Sequence, residues 1–272
     1  MIAFKRIIYL YIIVVQALFF SSAISAADKG EVVNSVDNII NKIQQLKDTK
    51  DDQQAVDDSI LLLSRSDLTL QQTITILKIQ ESRYYQLSEL SFALMTAKRV
   101  KFLASENNFE LIEADADKTI GIYHYLKGEP KQAVEAYQQS LKFYKNSTNE
   151  PLKLANLYNN IALAYIKFGA IRSSIENFQQ AKTLYQNFGT KADQIDIRYN
   201  IAGLYLRLKR YDVAIEQYLN VIEELSETED KLTLAKARGE LGTTYKYSGE
   251  HNKGLYLLLQ AITYFEKTGN KY

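Results

Sequence analysis

The side chains able to do covalent chemistry are few in this sequence, and they are badly placed for it. There is no cysteine, which excludes disulfides, thiolate nucleophiles, Cys-ligated metal and a lipid anchor on a cleavage-site cysteine. The two histidines, His124 and His251, stand far apart in the chain and do not pair with each other, so a core or turn role is expected for each rather than a catalytic or metal-binding one. No phosphate loop, no G-x-G-x-x-G and no H-E-x-x-H occurs. The sequence therefore yields no catalytic residue, no metal ligand set and no cofactor site. Asn146-Ser147-Thr148 is a formal glycosylation sequon, relevant only in a eukaryotic secretory pathway.

What remains is the chemistry of recognition. A side-chain amide donates and accepts at once, so it can pair with both the N–H and the C=O of an extended peptide. Asn160 and Asn200 are such amides, forty residues apart, with Asn159 and Tyr199 beside them. Lys167 and Arg207 follow about two turns further along the same helices, where they would favour an acidic ligand residue. These six residues are the candidate peptide-binding groove. The competing reading is that they are solvated helix faces.

A groove needs elements that repeat, and the chain has them. From Tyr158 to Ala181 runs a skeleton with a small residue after an aliphatic one (Ile161-Ala162), then Tyr165, the turn residue Gly169, and Ser174, Phe178 and Ala181 at helical spacing. It returns as Ile201-Ala202, Tyr205, Ala214, Tyr218 and Val221, and as Leu241-Gly242, Tyr245, Gly249, Gly254, Leu258 and Ala261. An earlier copy reads Ile120-Gly121, His124, Gly128, Ala133, Tyr137 and Ser140. The small residues at 121, 162, 202 and 242 set a period of 41, 40 and 40, the signature of a stacked array. Small residues on facing helices allow close approach, and the aromatic ones fill the space between hairpins that one hairpin could not bury alone. His124 thus falls at a packing position, and His251 in a turn.

This pattern resembles the tetratricopeptide repeat family in its long form of about 40 residues, two antiparallel helices per repeat. The resemblance covers about Ala114 to Lys267 and implies an all-α, right-handed α-solenoid of stacked hairpins. It also implies a scaffold that binds a protein or peptide. Two departures are local: His124 replaces a bulky aromatic residue, and Lys209 replaces the turn glycine of the third repeat. The carboxylate clamp known in the family carries over only in half. Asn160 and Asn200 match one of its asparagines, while Ile122, Leu163, Gly203 and Thr243 stand at the other.

Composition agrees with an ordered helical chain: 46% hydrophobic residues and only two prolines among 272 residues. Both prolines, Pro130 and Pro151, fall where a helix should begin, where a missing N–H costs nothing. The net charge is +1, or −1 without the N-terminal Lys5 and Arg6, so no polycationic face points to nucleic acid.

The N-terminus has a different grammar. Lys5-Arg6 precede the apolar run Ile7 to Phe20, followed by small residues up to Ala27. That is the order of a secretory signal peptide over residues 1–27, with cleavage expected after Ala26 or Ala27. An uncleaved membrane anchor is the alternative, and both place the remainder outside the cytoplasm, in a periplasm or secreted. Residues 28–110 read as two degenerate hairpins capping the array. Their helices are expected at about 31–46, 53–64, 68–85 and 87–105, with Glu81 standing where a small residue should be. Residues 111–272 read as four repeats. Exported arrays of this kind resemble the sensory front half of bacterial membrane receptors, whose output is a diguanylate cyclase, kinase or DNA-binding domain. Two functions are therefore expected to compete: a non-catalytic exported scaffold, and the sensory portion of such a receptor.

Overall fold

The computed structural model describes residues 29–45, 51–146 and 149–269. The signal-like segment, Ser147-Thr148 of the sequon and Tyr272 lie outside these residues. Among the described residues the chain forms twelve α-helices and no strand. They are α1 (Lys29–Gln45), α2 (Asp52–Leu63), α3 (Leu70–Gln86), α4 (Leu90–Glu106), α5 (Glu110–Leu126) and α6 (Pro130–Asn146). Then come α7 (Pro151–Phe168), α8 (Ile171–Phe188), α9 (Lys191–Arg207), α10 (Tyr211–Ser226), α11 (Lys231–Ser248) and α12 (His251–Thr268). None of them is long and apolar enough to cross a membrane. Two compact units part between Glu129 and Pro130, inside the hairpin that the repeat register assigns to the first repeat.

Local chemistry sets the helix ends. The expected start at 68 moves to Leu70 because Thr69 caps α3: its Oγ1 accepts from the Gln72 N–H, and the Gln72 side chain accepts from the Thr69 N–H. Pro151 opens α7 at its first turn, as expected of a residue without an N–H. The turns inside hairpins need one residue with positive φ, and they find it at regular intervals: Ser88 (61°), Gly128 (77°), Gly169 (84°), Lys209 (57°) and Gly249 (93°). Ser88 therefore holds the glycine's place in the α3–α4 hairpin, and it delays α4 to Leu90. The turn geometry of the repeat thus persists where the residue types have drifted.

In the first unit, Val36, Ile40 and Ile43 of α1 pack with Ala55 and Leu62 of α2 and with Ile76 and Ile79 of α3. A second cluster joins Ile74 and Leu77 of α3 to Val100 of α4 and Ala116 of α5. Glu81 is taken up by a hydrogen bond from the Tyr123 hydroxyl, between α3 and α5. His124 is largely buried, and its Nδ1 lies 2.5 Å from Glu129 Oε2 in the turn that follows α5. That partner suits a packing and turn-fixing histidine.

In the second unit, Phe178 of α8 sits among Ala155 and Ala162 of α7 and Ile197 and Leu204 of α9. Tyr218 of α10 sits likewise among Ala202 of α9 and Leu241 and Tyr245 of α11. Gly242 and Gly254 bring α11 and α12 together so closely that a Cβ on Gly254 would stand 2.7 Å from the Gly242 carbonyl oxygen. Tyr165 and Tyr205 are only half-buried, whereas Tyr245 at the same register position is buried. Tyr165 Oη accepts from Gln138 Nε2 at 3.1 Å. His251 is exposed at the start of α12.

Candidate functional site

The first helices of the hairpins, α7, α9 and α11, are neighbours, and the residues left over from packing gather between them. There a cavity of about 250 Å³ opens, lined by Asn156 and Asn159 of α7, Tyr185 of α8, five residues of α9, and Thr233 and Lys236 of α11. The α9 residues are Asp193, Asp196, Ile197, Tyr199 and Asn200. The register explains the gathering, since Asn156, Asp196 and Lys236 stand at one position of three successive repeats, and Asp193 and Thr233 at another.

Two hydrogen bonds fix the polar wall. Asn200 Nδ2 donates to Asn159 Oδ1 at 2.9 Å, so the two amides form a pair across α7 and α9. The pairing leaves one amide donor, Asn159 Nδ2, and one acceptor, Asn200 Oδ1, each with capacity for a further partner. Asn156 is held twice: its Oδ1 accepts from the Tyr185 hydroxyl at 2.7 Å, and its Nδ2 donates to the Leu152 carbonyl at 2.9 Å. Burial pushes the Tyr185 phenol up to about 12, helped by the Asp193 and Asp196 charges, so it stays a neutral donor.

The carboxylates differ in how they are held. Asp193 closes the cap of α9, its Oδ2 accepting from both the backbone N–H and the hydroxyl of Thr190. Asp196 has no hydrogen bond or ion pair among the described residues. Although the residue is exposed, partial desolvation of its carboxyl raises its pKa, the charges of Asp230 and Asp193 add to that, and Lys236 works against it. Farther along the groove the charge reverses. Lys167, Arg207 and Lys246 occupy the last turns of α7, α9 and α11, and the Arg207 charge tempers the upward shift that burial imposes on Glu240.

Of the six residues singled out from the sequence, Asn159, Tyr199 and Asn200 line the cavity. Asn160, Lys167 and Arg207 do not: Asn160 lies half-buried on α7, while Lys167 and Arg207 are exposed at the helix ends. Reading only the first helices misses Tyr185, which stands on a second helix. Its register places it with the packing residues Tyr144, Leu225 and Phe265, and like them it is buried. Only its hydroxyl sets it apart from Leu225 and Phe265, a weak signal in one sequence. Among the described residues, no cluster of His, Asp and Glu could hold a metal ion.

Residues 107–241, just under half of the chain, match the family model described as soluble NSF attachment protein, SNAP. No curated protein matches the sequence. Among solved structures, the chain is similar to BtubC (BKLC) from P. vanneervenii, at 15% identity and a TM-score of 0.61 over 88% of this chain and 92% of that one. It is also similar to the Rap conjugation gene regulator of plasmid pLS20, solved in complex with the Phr* peptide: 13% identity and a TM-score of 0.63, over 86% and 76% of the two chains. A signal transduction ATPase with a tetratricopeptide repeat sensor, from Pyrococcus horikoshii, gives 15% identity and a TM-score of 0.67 over 89% of this chain and 40% of that one. At such identities the likeness speaks of the fold, an all-α solenoid of stacked antiparallel hairpins.

Proposed function

We propose that this chain, a tetratricopeptide-type helical repeat protein, is a non-catalytic, exported scaffold that binds an extended peptide or protein segment across α7, α9 and α11. The observation that carries the reading is the Asn159–Asn200 amide pair on the rim of a cavity, with one donor and one acceptor left for a peptide backbone. The Phr* peptide complex of the similarly folded Rap regulator gives the reading a precedent in kind.

Selection from a random linear peptide library on the immobilised full chain tests it. Enriched peptides should bind in the cavity region, and Asn159→Ala with Asn200→Ala should weaken them about tenfold or more, because truncation leaves peptide backbone groups unpaired. The unfolding midpoint should move little, since these amides are partly solvated. Asn160→Ala, outside the cavity, is the control and should cost less than about threefold. Failure to enrich any peptide, or affinities indifferent to the double substitution, would return these residues to solvated surface.

A second reading is favoured by the Pyrococcus horikoshii neighbour, in which the repeat array is a sensor. In that case the chain is the ligand-binding portion of a larger signalling receptor. An immunoblot of the native host then shows a species well above the 31.2 kDa of this chain; a band at that mass would reject it.

A further inference from the structure

The lining of the cavity between α7, α9 and α11 is unequal in charge. Two carboxylates, Asp193 and Asp196, face one ammonium, Lys236, and Asp230 is near enough to act on Asp196 as well. Acceptors also outnumber donors, because the Tyr185 oxygen retains a lone pair after donating to Asn156, and one Asp193 oxygen lies beyond its bonds to Thr190. At about 250 Å³ the space falls below the range of roughly 300–1,000 Å³ typical for whole small-molecule ligands, and it suits a single long side chain.

We infer that this cavity receives the cationic side chain of a lysine or arginine carried by the bound peptide, seated against Asp196 and Asp193 with Tyr185 and Tyr199 beside it. The inference rests on the groove reading above and names which residue the groove selects. The long apolar stem of either side chain would lie against the half-buried Tyr199 ring, while its charge meets the carboxylates. Burying the otherwise unpaired Asp196 carboxylate against a neutral ligand would be unfavourable, so the site discriminates by the cost of the wrong partner as much as by attraction to the right one. The basic residues Lys167, Arg207 and Lys246 stand at the far ends of the same helices, about 16 Å along α9 from Asp196 at ~1.5 Å per residue. The groove is thereby polarised, and a basic ligand residue is drawn to the Asp196 end alone.

The test uses peptides enriched on the full chain by random-library selection, made synthetically with single changes. Enriched sequences should share a lysine or arginine, and replacing it by norleucine or citrulline should weaken binding about tenfold or more, an effect that shrinks with added salt. Acetylating the peptide N-terminus should leave affinity unchanged; if acetylation abolishes binding and norleucine does not, the cavity takes a terminal ammonium and the inference fails. Asp196→Asn should erase the gap between the lysine and norleucine peptides, whereas Asn159→Ala should weaken both equally. Lys236→Gln should tighten the basic peptide several-fold, a gain that damaged folding could not produce. If no peptide is enriched, the groove reading and this inference fall together. If peptides bind through Asn159 and Asn200 without a shared basic residue, or keep their preference in Asp196→Asn, only the inference is overturned.

Discussion

Two residues carry constraints that the packing around them makes measurable. Glu81 sits between α3 and α5 at a position where other repeats place a small residue, and burial pushes its carboxyl up to about 7, the nearby Lys78 offsetting only part of this. Below its ordinary 4.5 the group is protonated whether the chain is folded or not, and between there and about 7 only the folded chain keeps the proton. Stability should therefore fall as pH rises through that window. Glu81→Gln keeps an acceptor for the Tyr123 hydroxyl and removes the charge. It should stabilise the protein at pH 8 by roughly 1–3 kcal/mol, leave it little changed near pH 4, and flatten the profile seen in denaturant melts between. Asp196 and Glu240, whose pKa values are also raised by burial, add slopes of the same sign that the substitution leaves in place. Lys209 holds φ 57° where the hairpins on either side use glycine. Lys209→Gly should relieve that strain and raise stability by about 0.5–1 kcal/mol, read as an upward shift of the urea midpoint with an unchanged slope.

Between helices, what matters is how near two backbones may come and what fills the space left. Phe178, at 1% exposure, bridges α7, α8 and α9, so Phe178→Ala should cost about 3–5 kcal/mol through the cavity it leaves. Gly254 faces the opposite problem: a Cβ would stand 2.7 Å from a carbonyl oxygen of α11 and 3.1 Å from the Lys246 nitrogen, both backbone atoms that cannot rotate away. Gly254→Ala should therefore destabilise by about 1–3 kcal/mol despite the better helix propensity of alanine. Ala214→Leu belongs to the same class, since Ala214 is fully buried, and Lys182→Ala, on an exposed face, should stay within about 0.5 kcal/mol. Chemical denaturation of the four variants checks the register as a set; equal midpoints would mean the repeats are misaligned.

For the whole chain, the repeat decides which side chains successive hairpins place side by side. A single hairpin offers Asn159 or Asn200 as an isolated surface amide; two in register offer a pair, and a third adds Lys236 and Thr233 to close the cavity. The export proposed above rests on the N-terminal segment and can be tested there. Fusing residues 1–27 to a phosphatase active only outside the cytoplasm should give activity, and replacing Lys5 and Arg6 by glutamate should reduce it severalfold. A silent fusion would remove export from the proposed function.

The periodic spacing of small, aromatic and turn residues was enough to settle the helical hairpins, their order and their packing faces. A helix buries one stripe, and residues such as Ala162, Phe178, Ala202 and Tyr218 mark that stripe from within their own segment. Asn159, Tyr199 and Asn200, which remain when the stripe is removed, line the cavity. Partnership was not legible there. The register puts Asn200 level with Asn160, yet its amide reaches Asn159, since helices cross at an angle and a neighbour one residue out of register can lie nearer. Nor could the spacing reveal that Tyr185 turns its hydroxyl to Asn156, or that Asp193 and Asp196 gather where Lys167 and Arg207 do not. Side-chain direction and the sum of charges over three helices are properties of the tertiary arrangement, and only that arrangement decided which charge the cavity presents to a ligand.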